Sequence, residues 1–136
     1  MSFSVGIESV LEQCISSVKG QLYDRAEMAA HVMKGAALDV LKGQRSGRVY
    51  RSPLGGRYTA SAPGEPPAWR SGTLAKSWIP VKAYANPAID SFIPYAGYME
   101  HGTPGGKIAP RPFAEKIVEK AMPEVLAIYS QPFQLP

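Results

Sequence analysis

The chain has 136 residues and a formal net charge of +4, and 45% of its residues are hydrophobic. That is the length of one domain and the composition of a globular protein, so wholesale disorder is excluded. The single cysteine, Cys14, excludes an internal disulfide framework, and no apolar run approaches the roughly 20 residues that span a bilayer. Because its first residues lack a basic and then apolar leader, we expect a soluble protein of a reducing cytoplasm.

The positive charge is concentrated in one segment. Seven of the 15 Lys and Arg residues lie between Lys42 and Lys76, against Glu65 alone, so this segment carries +6 and the rest carries −2. Such a segment indicates contact with phosphates or with an acidic protein surface, or only a solvated face.

Residues 7–42 carry apolar side chains at intervals of three and four, which predicts an amphipathic helix. At 1.5 Å per residue such a helix is about 54 Å long, which exceeds a compact domain of this size. Either Gly20 divides it into two helices, or part of its apolar stripe faces a neighbouring subunit. We favour one long helix that ends at a C-cap formed by Lys42 and Gly43, with an alanine-rich half that allows another element to approach closely.

The middle of the chain, residues 43–112, holds ten of the 13 Gly and ten of the 13 Pro residues, which predicts an irregular or sheet-rich region between two helices. Within it, β-prone runs at 49–50 and 57–60 flank a Pro-Leu-Gly-Gly turn and predict a hairpin. The arginines of this hairpin are Arg48, Arg51 and Arg57.

Short elements are expected to follow the hairpin. After a proline-fixed loop at 62–68, Ser71 is the predicted N-cap of a helical turn. Residues 78–84 and 89–94 predict two strands, of which the first contains a proline that suits an edge strand or a bulge.

The last part of the chain predicts two helices and a tail. A short helix over 95–101 is expected to stop at Gly102. Pro112 suits the first position of a second helix, in which Pro123 is expected to cause a kink or a split. Residues 131–136 are expected to be extended, and ordered only if something holds them.

The sequence contains no convincing catalytic constellation. A glycine-rich stretch at 102–107 lacks the spacing of a phosphate-binding loop. Glu100 and His101 could move protons, but no zinc or nucleophile motif surrounds them, and we interpret Glu100 as a structural residue that accepts hydrogen bonds from the following turn. We therefore expect no enzyme activity, no cofactor and no metal. The hairpin arginines, interleaved with Tyr50 and Tyr58, could bind single-stranded nucleic acid by charge and stacking, or could meet acidic protein neighbours.

Four sequence blocks in order resemble a phage protein family. They are YTASAPGEPPA at 58–68, SGTLAKS at 71–77, YAGYMEHGT at 95–103 and APRPF at 109–113. The chain is similar in these blocks to the small neck or tail-completion proteins of long-tailed bacteriophages, which are head–tail joining or minor tail components.

The resemblance implies an α+β fold in which a long N-terminal helix packs on a small antiparallel sheet with a C-terminal helix. It implies a single domain over residues 1–130, followed by the tail. It also implies a structural virion protein at the head–tail junction, assembled in the bacterial host cytoplasm as a ring that is six- or twelve-fold by analogy. Its partners would be other neck, connector and tail proteins, with contact to genomic DNA in the channel as a further option and no membrane.

The resemblance also suggests roles for individual residues. The arginine hairpin and a projecting proline loop would touch neighbouring subunits or rings, through Arg48, Arg51, Arg57, Tyr58, Pro63, Gly64, Glu65, Pro66 and Pro67. A second group would fix a turn and attach the last helix to the sheet, and it consists of Ser71, Gly72, Leu74, Tyr95, Glu100, Gly102, Thr103, Arg111, Pro112 and Phe113. The alternative function is a nucleic-acid-binding module that uses the arginine and tyrosine hairpin.

Overall fold

A computed structural model of the chain describes residues 2–43, 45–51, 55–62, 64–68, 72–81, 86–106 and 109–136. Its helices are α1 (Glu8–Lys42), α2 (Thr73–Lys76), α3 (Ala96–His101) and α4 (Ala114–Tyr129). Its strands are β1 (Val49–Arg51), β2 (Arg57–Thr59), β3 (Trp78–Pro80) and β4 (Ile89–Ser91). The fold is α+β, with a long N-terminal helix, antiparallel strand pairs and a C-terminal helix, as the resemblance implies. None of the described helices combines the length and hydropathy needed to cross a membrane.

The predicted long helix is confirmed as one element of 35 residues, continuous through Gly20. It ends before Gly43, but Gly43 has an extended backbone with φ −64° and ψ 165°, so the predicted glycine C-cap does not adopt the left-handed form. The alanine-rich half contacts α4 of the same chain. Ala29, Ala30 and Ala37 in this half are fully buried.

The core lies where α1, α4 and the second strand pair meet. Phe113 and Ile117 are buried beside the last turns of α1, and the Trp78 ring meets Phe113 edge to face at 5.8 Å. The predicted stripe of α4 therefore faces the core. The helix runs unbroken past Pro123, so the predicted split is wrong; Pro123 is exposed, and water can satisfy the carbonyl that loses its partner there.

The strands form two separate antiparallel pairs. Val49 pairs with Thr59 and Arg51 with Arg57 in the first pair, which confirms the hairpin. In the second pair Trp78 lies opposite Ser91, and Pro80 lies opposite Ile89 at the end of β3. With two strands per sheet each strand is an edge, which accommodates Pro80.

Glu100 holds the start of α4. Its Oε2 accepts hydrogen bonds from the backbone N–H groups of Phe113 at 2.7 Å and Ala114 at 3.2 Å. The expectation that it bonds the following turn is wrong, because these donors lie 13 and 14 residues further along the chain. Pro112 is also not the first helical residue, since Phe113 is the N-cap and α4 begins at Ala114. A carboxylate at this position satisfies free N–H groups and complements the helix dipole.

Replacing Glu100 with Ala is expected to lower the free energy of unfolding by about 1–2 kcal/mol, because two charge-assisted bonds at a helix start are lost. Thermal and urea unfolding measure this loss. Glu119→Ala on the exposed side of α4 is the matched control, and equal effects of the two changes would contradict the role of Glu100.

Candidate interaction surfaces

In the described part of the chain, no three His, Cys, Asp or Glu side chains lie together in a way that could hold a metal ion. Glu100 is engaged at the start of α4, and His101 is exposed at the end of α3. We therefore describe the surfaces on which the chain can meet other macromolecules.

The basic hairpin, residues 48–60, is exposed on its first strand from end to end. Its root is closed by backbone hydrogen bonds between Gly47 N and Ala60 O at 2.9 Å and between Ala60 N and Arg48 O at 2.8 Å. A Cβ on Gly47 would lie 2.5 Å from the Ala60 carbonyl oxygen, so this crossing requires glycine. Sequence reasoning missed Gly47, which no local pattern distinguishes from the other glycines.

Arg51 and Arg57 lie directly opposite each other in the hairpin. Directly opposed residues of an antiparallel pair project from the same face, and like charges there repel. Arg48 lies over the Tyr50 ring at 5.4 Å, which keeps that guanidinium close to an aromatic surface. No acidic residue occurs between Asp39 and Glu65, so the hairpin brings no counter-charge of its own. The side chain of Tyr58 lies outside the described part of the structure.

Arg45 attaches the proline loop to the end of α1. Its Nε donates to the Pro66 carbonyl at 2.7 Å, and its Nη2 donates to the carbonyls of Val40 at 2.7 Å and Pro67 at 3.1 Å. Burial lowers the pKa of Arg45, and the nearby Glu65 carboxylate opposes this effect. The guanidinium stays charged, because an arginine does not lose its proton in a protein. Arg45 was not among the predicted site residues.

The Glu65 carboxylate bonds neighbouring residues of its own chain. Its Oε1 accepts from the backbone N–H groups of Ala62 at 2.6 Å and Ser46 at 3.0 Å, and its Oε2 accepts from the Ser46 hydroxyl at 3.0 Å. The hydrogen bond from Ala62, followed by those from Ser46, lowers the pKa of Glu65 below its ordinary value, and the charge of Arg45 acts in the same direction. This carboxylate therefore closes the proline loop rather than reaching outward.

The prediction that residues 62–68 project from the molecule is corrected by these contacts. Pro66 and Pro67 are buried, and Lys116 of α4 donates to the Gly64 carbonyl at 3.3 Å. Gly64 is the exposed part of the loop, with a φ of 83° that favours glycine. Pro63 lies outside the described residues. The hairpin, and not the proline loop, is the element that this region presents to solvent.

Some of the residues expected to fix turns lie around the start of α4, and others lie at the ends of α2 and α3. Arg111 N donates to the Met99 carbonyl at 2.6 Å, which links α3 to the approach of α4. Gly72, with φ 76°, precedes α2 in place of the predicted cap Ser71, which lies outside the described residues. The remaining members are placed as follows: Leu74 packs on the core, Tyr95 is exposed before α3, Gly102 ends α3 with φ 77°, and Thr103 is half-buried.

The N-terminal arm, residues 2–16, is an exposed apolar surface that the predicted site did not name. Its α1 part continues the stripe that faces the core further along, and Ile7, Leu11 and Ile15 are 64%, 50% and 54% exposed. Phe3 and Val5, which precede the helix, are exposed as well. The signal in the sequence was the length of the helix, which led us to expect spare apolar stripe without locating it.

The C-terminal tail, residues 131–136, lies along α1 and reaches the boundary of the arm. Gln21 exchanges two hydrogen bonds with the backbone of Gln134, at 2.6 and 2.9 Å. Arg25 donates to the carbonyls of Tyr129 and Pro132, both at 3.1 Å, and its guanidinium lies 4.0 Å from the centre of the Phe133 ring. Residues 132–136 form neither helix nor strand, and the contacts with Gln21 and Arg25 hold the tail against α1.

A comparison of the chain with protein families, curated proteins and solved structures found no match.

Replacing Glu65 with Gln is expected to flatten the acid dependence of stability. Because the folded pKa of Glu65 is lowered, its contribution is present above the unfolded carboxyl pKa of about 4.3 and is lost as the pH falls through the lower folded value. Melting temperatures of the wild type should therefore fall more steeply than those of Glu65→Gln between about pH 5 and pH 3. Glu119→Gln, exposed on α4, should keep the wild-type slope; a wild-type slope in Glu65→Gln would refute the assignment.

Arg25→Ala is expected to release the tail and to cost about 2–3 kcal/mol of unfolding free energy, since two charged hydrogen bonds and one cation–π contact are lost. Hydrogen exchange at the Gln134 amide reports the release, and chemical denaturation reports the cost. Lys19→Ala, on an exposed part of the same helix, serves as the control. Unchanged protection at Gln134 would show that Arg25 does not hold the tail.

Proposed function

We propose that this chain is a structural subunit that assembles into a ring, as a neck or tail-completion protein between the head and the tail tube of a tailed bacteriophage. The observation that carries the proposal is the N-terminal arm. A chain that worked alone would gain by burying this stripe or replacing it with polar residues, because contiguous exposed apolar surface is characteristic of interaction sites. A ring subunit instead keeps such surface for its neighbour.

The family resemblance supplies the particular role, and the second, third and fourth of its sequence blocks meet in the fold. Glu100 and Met99 of the third block bond Phe113 and Arg111 of the last block. Leu74 of the second block packs on the same core as Phe113. These motif residues therefore stabilise the fold. The arm and the hairpin remain exposed and can contact other molecules.

A second candidate function is a nucleic-acid-binding module. The observation that favours it is the opposed pair of Arg51 and Arg57 on an exposed hairpin, which attracts phosphate. Binding of this kind would weaken steeply as salt is added, since counterions released by the phosphates drive it.

We expect the purified full-length chain to form a closed oligomer of fixed copy number, and Leu11→Ser/Ile15→Ser to shift it towards the monomer by weakening association at least about tenfold. Native mass spectrometry and sedimentation velocity measure the copy number and the affinity. Gln13→Ser is the control, because Gln13 lies about 200° around the helix from Leu11 and Ile15.

The role in the virion needs its own measurement. Mass spectrometry of purified particles from the phage or induced prophage that encodes this chain should detect it at several copies per virion. Its absence from complete particles would end the proposal of a neck or tail-completion role, whatever its behaviour in solution.

A further inference from the structure

Two surfaces of opposite charge lie at opposite ends of α1. The N-terminal arm carries Glu8 and Glu12 and no lysine or arginine before Lys19. The basic hairpin follows the other end of the helix, where Arg45 bonds the carbonyl of Val40 in its last turns. A helix of 35 residues separates these ends by about 50 Å, so the two surfaces of one chain cannot meet each other.

Both surfaces combine charge with exposed apolar area. On the arm, Glu8 and Glu12 are one helical turn apart and lie beside the stripe formed by Leu11 and Ile15, which are about half exposed. On the hairpin, Val49 is 54% exposed next to the arginines. A protein partner suits such a mixed surface, because apolar side chains gain by leaving water while the charges set the orientation.

Four acidic residues elsewhere in the chain are less suited to the hairpin. Glu115 and Glu119 on α4 alternate with Lys116 and Lys120, so that part of the helix presents no net charge. Glu65 closes the proline loop and Glu100 holds the start of α4. The two carboxylates of the arm, by contrast, lie in a stretch without lysine or arginine and beside exposed apolar side chains.

We propose that the N-terminal arm of one copy docks on the basic hairpin of the next copy, with Glu8 and Glu12 opposite Arg51 and Arg57 and the Leu11 and Ile15 stripe against the hairpin's apolar residues. This inference rests on the proposed ring and names its contact. The contact joins two different surfaces, so repetition of it closes into a ring or extends into a filament. It also relieves the repulsion between Arg51 and Arg57, which no acidic residue of the hairpin offsets.

Charge reversal tests the contact. Glu8→Lys/Glu12→Lys and Arg51→Glu/Arg57→Glu are each expected to weaken self-association about 100-fold, because they place like charges opposite each other. The chain that carries all four changes should recover to within about tenfold of the wild type. Glu119→Lys/Glu124→Lys, which changes the charge equally on α4, should associate like the wild type. Circular dichroism and melting curves confirm that every variant is folded.

Mixing the two double variants gives a sharper readout. Each retains one unaltered surface and one reversed surface, so the reversed arm of one chain matches the reversed hairpin of the other. Neither variant should assemble alone, and an equimolar mixture should form an alternating oligomer with equal numbers of both chains. Sedimentation velocity and native mass spectrometry distinguish this species by mass.

The possible results separate the contact from the proposed function. Unchanged assembly in either double variant overturns the contact, and so does a lack of recovery in both the quadruple variant and the mixture. In these cases a ring formed by the wild type and its presence in virions would still support the proposed function. A wild-type chain that stays monomeric at every concentration also overturns the proposed contact. If Arg51→Glu/Arg57→Glu abolishes binding to duplex DNA in a gel shift but leaves assembly intact, the hairpin binds nucleic acid instead. If mixing restores assembly but the chain is absent from virions, the contact is supported and the phage role is refuted.

Discussion

The close contact between α1 and α4 is the constraint on which the rest of the molecule depends. The alanine-rich half of α1 lies against α4, and the core around Phe113 and Ile117 is built at one end of that contact. The partner helix is much the shorter of the two, with 16 residues against 35. Its length leaves the first turns of α1 without cover, and the tail extends the cover only as far as Ser17 and Gln21. The exposed arm is therefore a consequence of unequal helix lengths, and the proposed assembly follows from it.

The bounds of α1 and the existence of the hairpin were predictable, because both follow from local patterns. A stripe at intervals of three and four specifies one helix over residues 7–42, and β-prone runs around a glycine turn specify a hairpin. The start of α4 was not predictable in this way. Pro112 satisfies the local rule for a first helical residue, but the bonds from Phe113 and Ala114 to Glu100, which is distant in the sequence, shift the start to Ala114. Contacts across such separations leave no signature in a local window.

For the candidate surfaces too, features set by local sequence were predictable and features set by distant contacts were not. The arginines of the hairpin could be located from the charge pattern, whereas the length and periodicity of α1 indicated a spare apolar stripe without locating it. The orientation of the proline loop could not, because it depends on Arg45 reaching the carbonyls of Pro66 and Pro67 and on Glu65 collecting the N–H groups of Ser46 and Ala62. The prolines predicted a rigid loop and the family resemblance suggested that it projects, yet a proline carbonyl is as good an acceptor as any other. Arg45, near the end of α1, therefore holds the proline loop against the rest of the chain.

The continuity of α1 through Gly20 has a mechanical consequence. An arm joined to the core by a hinge could move independently of the core. Here the arm and the core helix are one continuous helix, so a force on the arm is transmitted to the core. Tension applied at Leu11 or Ile15 would act as shear along the alanine contact with α4, and would reach the root of the hairpin at the other end. In an assembly of such subunits, strain at one junction would be shared around the whole circumference instead of being absorbed at a flexible joint.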